Sequence, residues 1–180
     1  MGYETPRLTL TLAEPSLARA VADYYTRNRE FLRPFEPERE ESFFTAAEQR
    51  RALREERRFA WDDRSYRFYI SRKEAPGEII GLVCLNNVVR GAFQSSFVGY
   101  KLDERFVRQG YMTEALTELV RIAFEELELH RLEANIMPRN IPSLRTASRA
   151  GFIEEGRSPA YLQVNGVWEE HVHMVRIRPE

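Results

Sequence analysis

Between Tyr111 and Leu127, apolar residues fall at Met112, Leu116, Leu119, Val120, Ala123, Phe124 and Leu127. Steps of three and four residues place one apolar stripe along a helix. A helix with one such stripe needs another layer of structure to cover it. The residues just before it supply one candidate: Gln94 to Leu102 reads as a strand, and Asp103 to Gln109 as a loop that opens into the helix at Gly110. Strand, loop and long amphipathic helix in that order point to a mixed fold in which helices cover a sheet.

The rest of the chain carries the same signature. Arg7 to Leu12 alternates polar and apolar residues, the period of a half-buried strand. A helix starts at Pro15-Ser16 and continues through Leu17, Ala20, Val21, Tyr24 and Tyr25 to about Asn28. A turn at Arg33 to Pro37 follows. Thr45 to Trp61 reads as an amphipathic helix whose Arg and Glu run is a solvated face. Tyr66 to Ser71 and Ile79 to Asn87 are strand-like and flank Pro76-Gly77, which predicts a hairpin turning there. Leu132 to Met137 reads as a strand ended by Pro138, and Pro142 to Ala150 as a helix stopped by Gly151. Phe152 to Val164 and Val167 to Ile177 form a last pair of strands joined by Asn165-Gly166, a strong hairpin signal. The expected class is α+β in one piece, with residues 1–180 as a single domain; no repeat or linker divides them.

Composition narrows the function. The formal net charge of −1 gives no reason to expect direct nucleic-acid binding. No apolar run approaches the roughly 18 to 20 residues of a membrane span, and the first residues lack a secretory leader pattern. Cys84 is the only cysteine, so no intramolecular disulfide can form, and a cytoplasmic location is expected. Cys84 lies in an apolar run and reads as a buried, inert thiol. His130, His171 and His173 are too few and too poorly grouped for a zinc site, so no metal is expected, and the His171-x-His173 pair reads as strand packing.

Arg108-Gln109-Gly110-Tyr111-Met112-Thr113 carries the chemistry. A helix N-terminus presents unpaired N–H groups and partial positive charge, and a glycine there lets an anion approach the backbone closely. One glycine before a helix is weak evidence alone, and neither G-x-x-x-x-G-K-[ST] nor G-x-G-x-x-G is present.

The chain as a whole resembles the Gcn5-related N-acetyltransferase (GNAT) superfamily, and within it the RimJ/RimL ribosomal-protein-alanine acetyltransferases, nearest the RimJ branch. The resemblance rests on Ala22 to Tyr25, Asn28 to Pro37, Asn87 to Gly91, Gly99-Tyr100, Gly110 to Leu116 and His130 to Leu132. It continues through Ala134-Asn135, Met137-Pro138, Asn140, Gly151-Phe152, Asn165-Gly166 and Trp168. The superfamily's Q/R-x-x-G-x-G/A loop is partly kept, with Val107 at the basic position and Met112 at the last small one; Arg108 is the neighbouring source of charge.

This resemblance implies a mixed, mostly antiparallel seven-stranded sheet whose fourth and fifth strands splay apart, flanked by about four helices. It implies acetyl-CoA as co-substrate, its pantetheine arm pairing with backbone near Tyr100, Lys101 and Leu102. The pyrophosphate would lie on N–H groups from Arg108 to Thr113, namely Arg108, Gln109, Gly110, Tyr111, Met112 and Thr113. Asn140 matches a residue that binds the pantetheine arm, and an ordinary helix cap is its other reading. Ser143 matches the serine proposed to protonate the leaving thiolate; the tyrosine used elsewhere in the superfamily is replaced by Ala147.

The acceptor implied is the N-terminal amine of a protein, S5-like with alanine first, and relatives can form homodimers. The acceptor half departs from the pattern: Ala160 stands where a carboxylate general base is expected before Tyr161-Leu162. Glu36, Glu104, Glu169 and His171 are the substitutes open to a water chain. Val88 to Phe93, Tyr24-Tyr25, Phe31 to Phe35, Tyr161 and Trp168 would border the acceptor cleft, or pack a core. A small-amine or antibiotic acceptor, or a non-catalytic CoA-binding or ribosome-assembly module, remain alternatives.

Overall fold

The computed structural model describes residues 1–179. Eight strands form one sheet: β1 Gly2–Glu4, β2 Leu8–Leu12, β3 Tyr66–Arg72, β4 Ala75–Val89, β5 Ser95–Leu102, β6 Arg131–Ile136, β7 Ile153–Val164 and β8 Val167–Ile177. Their order is β1-β2-β3-β4-β5-β6-β8-β7. Every neighbouring pair is antiparallel except β5 and β6. Five helices accompany the sheet: α1 Ala18–Arg27, α2 Arg29–Leu32, α3 Ala46–Trp61, α4 Tyr111–Arg121 and α5 Ile141–Arg149, with a π turn over Ile122–Glu126 extending α4. The α+β class and mostly antiparallel sheet are as expected from the sequence. The eighth strand is Gly2–Glu4, too short to show a period, which folds back on β2 with Tyr3 opposite Leu10. The fourth and fifth strands of the expected fold are therefore β5 and β6.

Ile79 to Leu85 is apolar almost without a break because β4 is central and buried on both faces. Ile80, Val83 and Leu85 face the core built with α4, whose stripe of Met112, Leu116, Leu119, Val120, Ala123 and Phe124 is buried against the sheet. Ile79, Leu82 and Cys84 face a second core made by α1 and α3 with Val21, Tyr24, Tyr25 and Leu53. Cys84 is buried, as its surroundings in the sequence suggest. No described helix is long and apolar enough to cross a membrane.

Two turn signals fare differently. Asn165 and Gly166 both adopt positive φ, 49° and 82°, the requirement of a tight two-residue turn, and Val164 pairs with Val167. Pro76-Gly77, expected to form the β3–β4 turn, lies inside β4. Arg72 pairs with Ala75 and Ser71 with Ile79, so the chain reverses at Lys73-Glu74 and the proline occupies the bulged stretch that follows. A bulge leaves the missing proline N–H without consequence.

The C-terminal end of β5 is tied to α1 by Asp103. Its backbone N–H donates to the Ile80 carbonyl at 2.7 Å. Its carboxylate accepts from Arg27 Nε at 2.6 Å and from Arg105 at 2.9 and 3.1 Å. Burial pushes this carboxyl up, but the bonds from Arg105 and Arg27 outweigh burial and hold it well below the usual carboxylate range. The folded state therefore binds this proton less readily than the unfolded chain. The resulting stability is complete above the unfolded value of about 3.9 and is lost as pH falls through the lower folded value. Asp103→Asn should cost about 3 kcal/mol at neutral pH, because two guanidinium groups lose their partner. Urea melts should show that difference shrinking as the pH falls well below about 4.

Candidate active site

β5 and β6 pair over three residues only, Ser95 with Arg131, Ser96 with Leu132 and Phe97 with Glu133. Beyond that the strands part. β5 stays paired with β4 as far as Leu102 opposite Gly81, and β6 with β8 as far as Ile136 opposite Val172. Each strand therefore turns one edge of peptide groups toward the gap from Val98 to Leu102 and from Ala134 to Ile136. An unpaired strand edge is a template for any extended molecule that carries amide groups. Tyr100, Lys101 and Leu102 lie along one wall of this gap.

The loop before α4 lies beyond the end of that wall. Arg108 and Gly110 take positive φ, 62° and 81°, with Gln109 between them. Gly110 is the residue before the helix and has no side chain to cap it. Glu114 N–H makes the first intrahelical bond, to Gly110 O at 3.0 Å. Among the described residues, the N–H groups of Arg108, Gln109, Gly110, Tyr111, Met112 and Thr113 have no backbone acceptor. Met112 packs its side chain into the core, so only its peptide group belongs to the loop. Arg108, Gln109 and Gly110 are exposed.

Arg7 fixes the loop from below. Its Nε donates to Glu114 Oε2 at 2.7 Å, its Nη1 to the Gln109 carbonyl at 3.0 Å, and its guanidinium lies 4.3 Å from the Tyr111 ring centre. These contacts turn a carbonyl away from the cradle. The result suits an anion: oriented donors, the positive end of a helix dipole, and nearby arginine. Nothing local in the sequence marks Arg7 for this role, because its contacts span about a hundred residues of chain.

Asn140 and Ser143 begin α5 on the other side of the gap. Asn140 Oδ1 accepts from Ser143 N at 3.3 Å, so the helix-cap reading holds. Its Nδ2 makes no hydrogen bond among the described residues. Ser143 Oγ donates to Tyr100 Oη at 2.9 Å, and Tyr100 Oη donates to the Ser143 carbonyl at 2.8 Å. The phenol thus bridges the gap from β5 to α5. Burial pushes the Tyr100 hydroxyl up to about 12 against the lowering effect of the Ser143 bond, so it is protonated at neutral pH.

On the opposite face of the sheet, Lys101 pairs with Glu36 and lies 5.2 Å from the Tyr25 ring centre. Burial disfavours its charge, but Tyr25 and Glu36 raise its affinity for the proton overall, so it stays cationic. Arg139 binds Glu169 at 2.8 Å and lies 5.5 Å from the Phe35 ring centre. The β7–β8 hairpin tip reaches the 36–38 segment: Asn165 Nδ2 donates to Glu36 O at 3.0 Å, and Glu38 N donates to Asn165 Oδ1 at 2.8 Å. A cavity of about 330 Å³ lies nearby, lined in part by Tyr25, Arg29, Leu32, Glu36 and Phe43.

Of the residues suggested as substitutes for the missing base, Glu36 and Glu169 are engaged in ion pairs. His171 is 4% exposed and its Nδ1 lies 3.0 Å from the Glu169 carbonyl. Tyr24 and Tyr25 are core residues, whereas Phe93 and Trp168 are exposed. Ala160 sits at φ 48° in a bulge where Pro159, Ala160 and Tyr161 together oppose one residue of β8.

Residues 7–153 match the family model described as an acetyltransferase (GNAT) domain. The [Ribosomal protein uS5]-alanine N-acetyltransferase of Escherichia coli is 35% identical over 98% of this chain and 90% of its own. Probable N-acetyltransferase YjcK of Bacillus subtilis is 38% identical over 86% of this chain and 85% of its own. The structure of the ribosomal-protein-S5-alanine acetyltransferase from Vibrio fischeri superposes with a TM-score of 0.92 at 32% identity, covering 98% of this chain and 96% of that one. Mycobacterium smegmatis RimJ in complex with CoA-disulfide gives a TM-score of 0.88 at 27% identity, over 94% and 81%.

Gly110 is a position where a side chain is costly, since φ is positive and an added Cβ would lie 3.3 Å from Arg7 Nη2. Gly77 has ordinary φ and open space around it. Gly110→Ala should destabilise the protein by about 1 to 2 kcal/mol and Gly77→Ala by much less. Paired thermal melts read the difference as a drop of roughly 2 to 4 °C per kcal/mol.

Proposed function

Because the chain belongs to the GNAT acetyltransferase family, we propose that it moves the acetyl group of acetyl-CoA to the N-terminal amine of a protein. The preferred acceptor is an alanine-initiated ribosomal protein of the uS5 kind. Acyl-CoA-dependent N-acetyl transfer is the activity class of the family. The observation that carries the cofactor assignment is the parting of β5 and β6 next to the open N–H array of Arg108 to Thr113.

In this reading residues 1–180 act as one acetyltransferase domain. The edges of β5 and β6 pair with the amides of the pantetheine arm, and Tyr100, Lys101 and Leu102 present the β5 side. The cradle from Arg108 through Gln109, Gly110, Tyr111 and Met112 to Thr113 holds the pyrophosphate. The free Asn140 Nδ2 donates to a pantetheine carbonyl while its Oδ1 caps α5.

The thioester supplies an activated acyl group. The amine attacks its carbonyl carbon, a C–N bond forms, the C–S bond breaks, and the thiolate requires a proton. Ser143 Oγ, at the start of α5 beside the gap, gives its proton to sulfur. The serine regains a proton from solvent, and the Tyr100 hydroxyl that accepts from its Oγ holds it in place.

An α-amino acceptor fits the missing carboxylate at Ala160. Its pKa of about 7.7 to 8.0 leaves a sizeable neutral fraction near pH 7, whereas a lysine amine at about 10.4 is almost wholly charged.

The test is thiol release from acetyl-CoA with an alanine-initiated peptide, a lysine peptide and a polyamine, with mass spectrometry to locate the acetyl group. Fastest release with the alanine peptide, acetylated at its N-terminus, is expected. Release with the polyamine alone would transfer the assignment to small amines, and release with none would leave a CoA-binding module. In the same assay Ser143→Ala should lower kcat by about a hundredfold while KM for acetyl-CoA changes little.

A further inference from the structure

In a trans peptide the C=O and the N–H point in opposite directions, so a group that grips one residue's carbonyl also aims the next residue's N–H. Arg7 Nη1 grips the Gln109 carbonyl at 3.0 Å, and the peptide that follows is trans. The Gly110 N–H therefore points away from Arg7 and stays among the open donors before α4. This peptide needs holding. It joins Gln109 to a glycine at φ 81°, and a residue without Cβ lets the unit turn over at little cost. Turned over, it would present a carbonyl oxygen to an anion in place of a donor. The Gln109 side chain is fixed as well, its Nε2 donating to the Arg105 carbonyl at 3.0 Å.

Arg7 is itself placed by α4. Glu114, in the first turn of that helix, accepts from Arg7 Nε at 2.7 Å, from the Arg7 backbone N–H at 2.8 Å and from Thr5 Oγ1 at 2.5 Å. Thr5 Oγ1 accepts in turn from the Leu8 N–H at 3.0 Å, so the β1–β2 turn is clamped to the start of α4. Burial pushes the Glu114 carboxyl up, but the bonds from Thr5 and Arg7 outweigh burial and hold it below its ordinary value, so it is charged at neutral pH. A carboxylate one turn from the helix start repels any anion bound there, and the Arg7 cation offsets that charge. Arg108, the loop's own cation, makes no side-chain hydrogen bond among the described residues. The order of the loop comes from Arg7.

We propose that Arg7 is the positioning residue of the pyrophosphate cradle: it holds the Gln109–Gly110 peptide with its N–H toward the phosphates and offsets the Glu114 charge beside them. This rests on the acetyl-CoA reading above. Arg7 acts through a peptide and a carboxylate, so it sets how tightly the pyrophosphate is held and leaves the thioester chemistry at Ser143 alone. An acyl donor that lacks the pyrophosphate does not feel its loss.

The test is calorimetric titration of the full chain with two ligands, acetyl-CoA and S-acetyl-pantetheine, which has the arm and the thioester but no pyrophosphate. Arg7→Gln should weaken acetyl-CoA binding by about tenfold to a hundredfold, the scale of a lost hydrogen bond to a charged group, and leave S-acetyl-pantetheine binding unchanged. Arg7→Lys keeps the charge without the planar fork and should fall between; it carries the same comparison if Arg7→Gln does not fold. With the alanine-initiated peptide, KM for acetyl-CoA should rise with the loss of affinity while kcat at saturation is unchanged. Thermal melts without ligand check that each variant is folded. Equal weakening toward both ligands would mark Arg7 as merely structural, and an unchanged acetyl-CoA affinity would show that it does not act on the cradle; either result overturns the proposal. If the wild type holds acetyl-CoA no more tightly than S-acetyl-pantetheine, the cradle assignment itself fails, and the role of Arg7 with it.

Discussion

Everything at this site follows from β5 and β6 separating after three residue pairs. A parallel pair needs a long crossover, and α4 with its π turn supplies it, covering one face of the sheet on the way. Where the strands part, each is kept straight by its other neighbour, β4 on one side and β8 on the other. The peptide groups along the gap therefore stay aligned although they bond nothing across it. Asp103 fastens the far end of β5 to α1, and Asn140 with Ser143 starts α5 opposite the opening. The anion cradle lies where it does because the chain leaving β5 must turn into α4 there.

Local features were the legible part of the sequence. The stripe from Met112 to Phe124 is buried as its spacing requires, and Asn165-Gly166 turns the last hairpin. These depend on neighbours within a few residues, where periodicity and allowed φ values act directly. Features set by register were not legible. The strand Gly2–Glu4 is too short to carry a period, and Pro76-Gly77 looks like a turn until pairing places the reversal at Lys73-Glu74.

The same distinction runs through the site. Gly110 and its neighbours are contiguous, so the loop could be found from the sequence and placed by resemblance. Arg7, which pins that loop, and Tyr100, whose hydroxyl meets Ser143, act across long stretches of chain. His173 on β8 meets Glu133 and Asn135 on β6 and Ser158 on β7. Its only trace in the sequence is same-face spacing, Glu133 with Asn135 and His171 with His173, which two strands of any sheet can share. The loss of a carboxylate at Ala160 is local and visible, whereas the groups around it become visible only once the strands are paired.

The two faces of the gap differ in what they carry. Tyr100 and Ser143 lie on the α4 and α5 side, where on the proposed reading a thiolate would need a proton, while Lys101 and Glu36 lie on the opposite face. The proposed reading places CoA in the gap with its phosphates on the Gly110 loop. Hydrogen–deuterium exchange with and without CoA tests this most directly. The account predicts slowed exchange confined to the amides of residues 108–113, the β5 edge over 98–102 and the start of α5. Protection elsewhere, with these segments unchanged at saturating CoA, would contradict it.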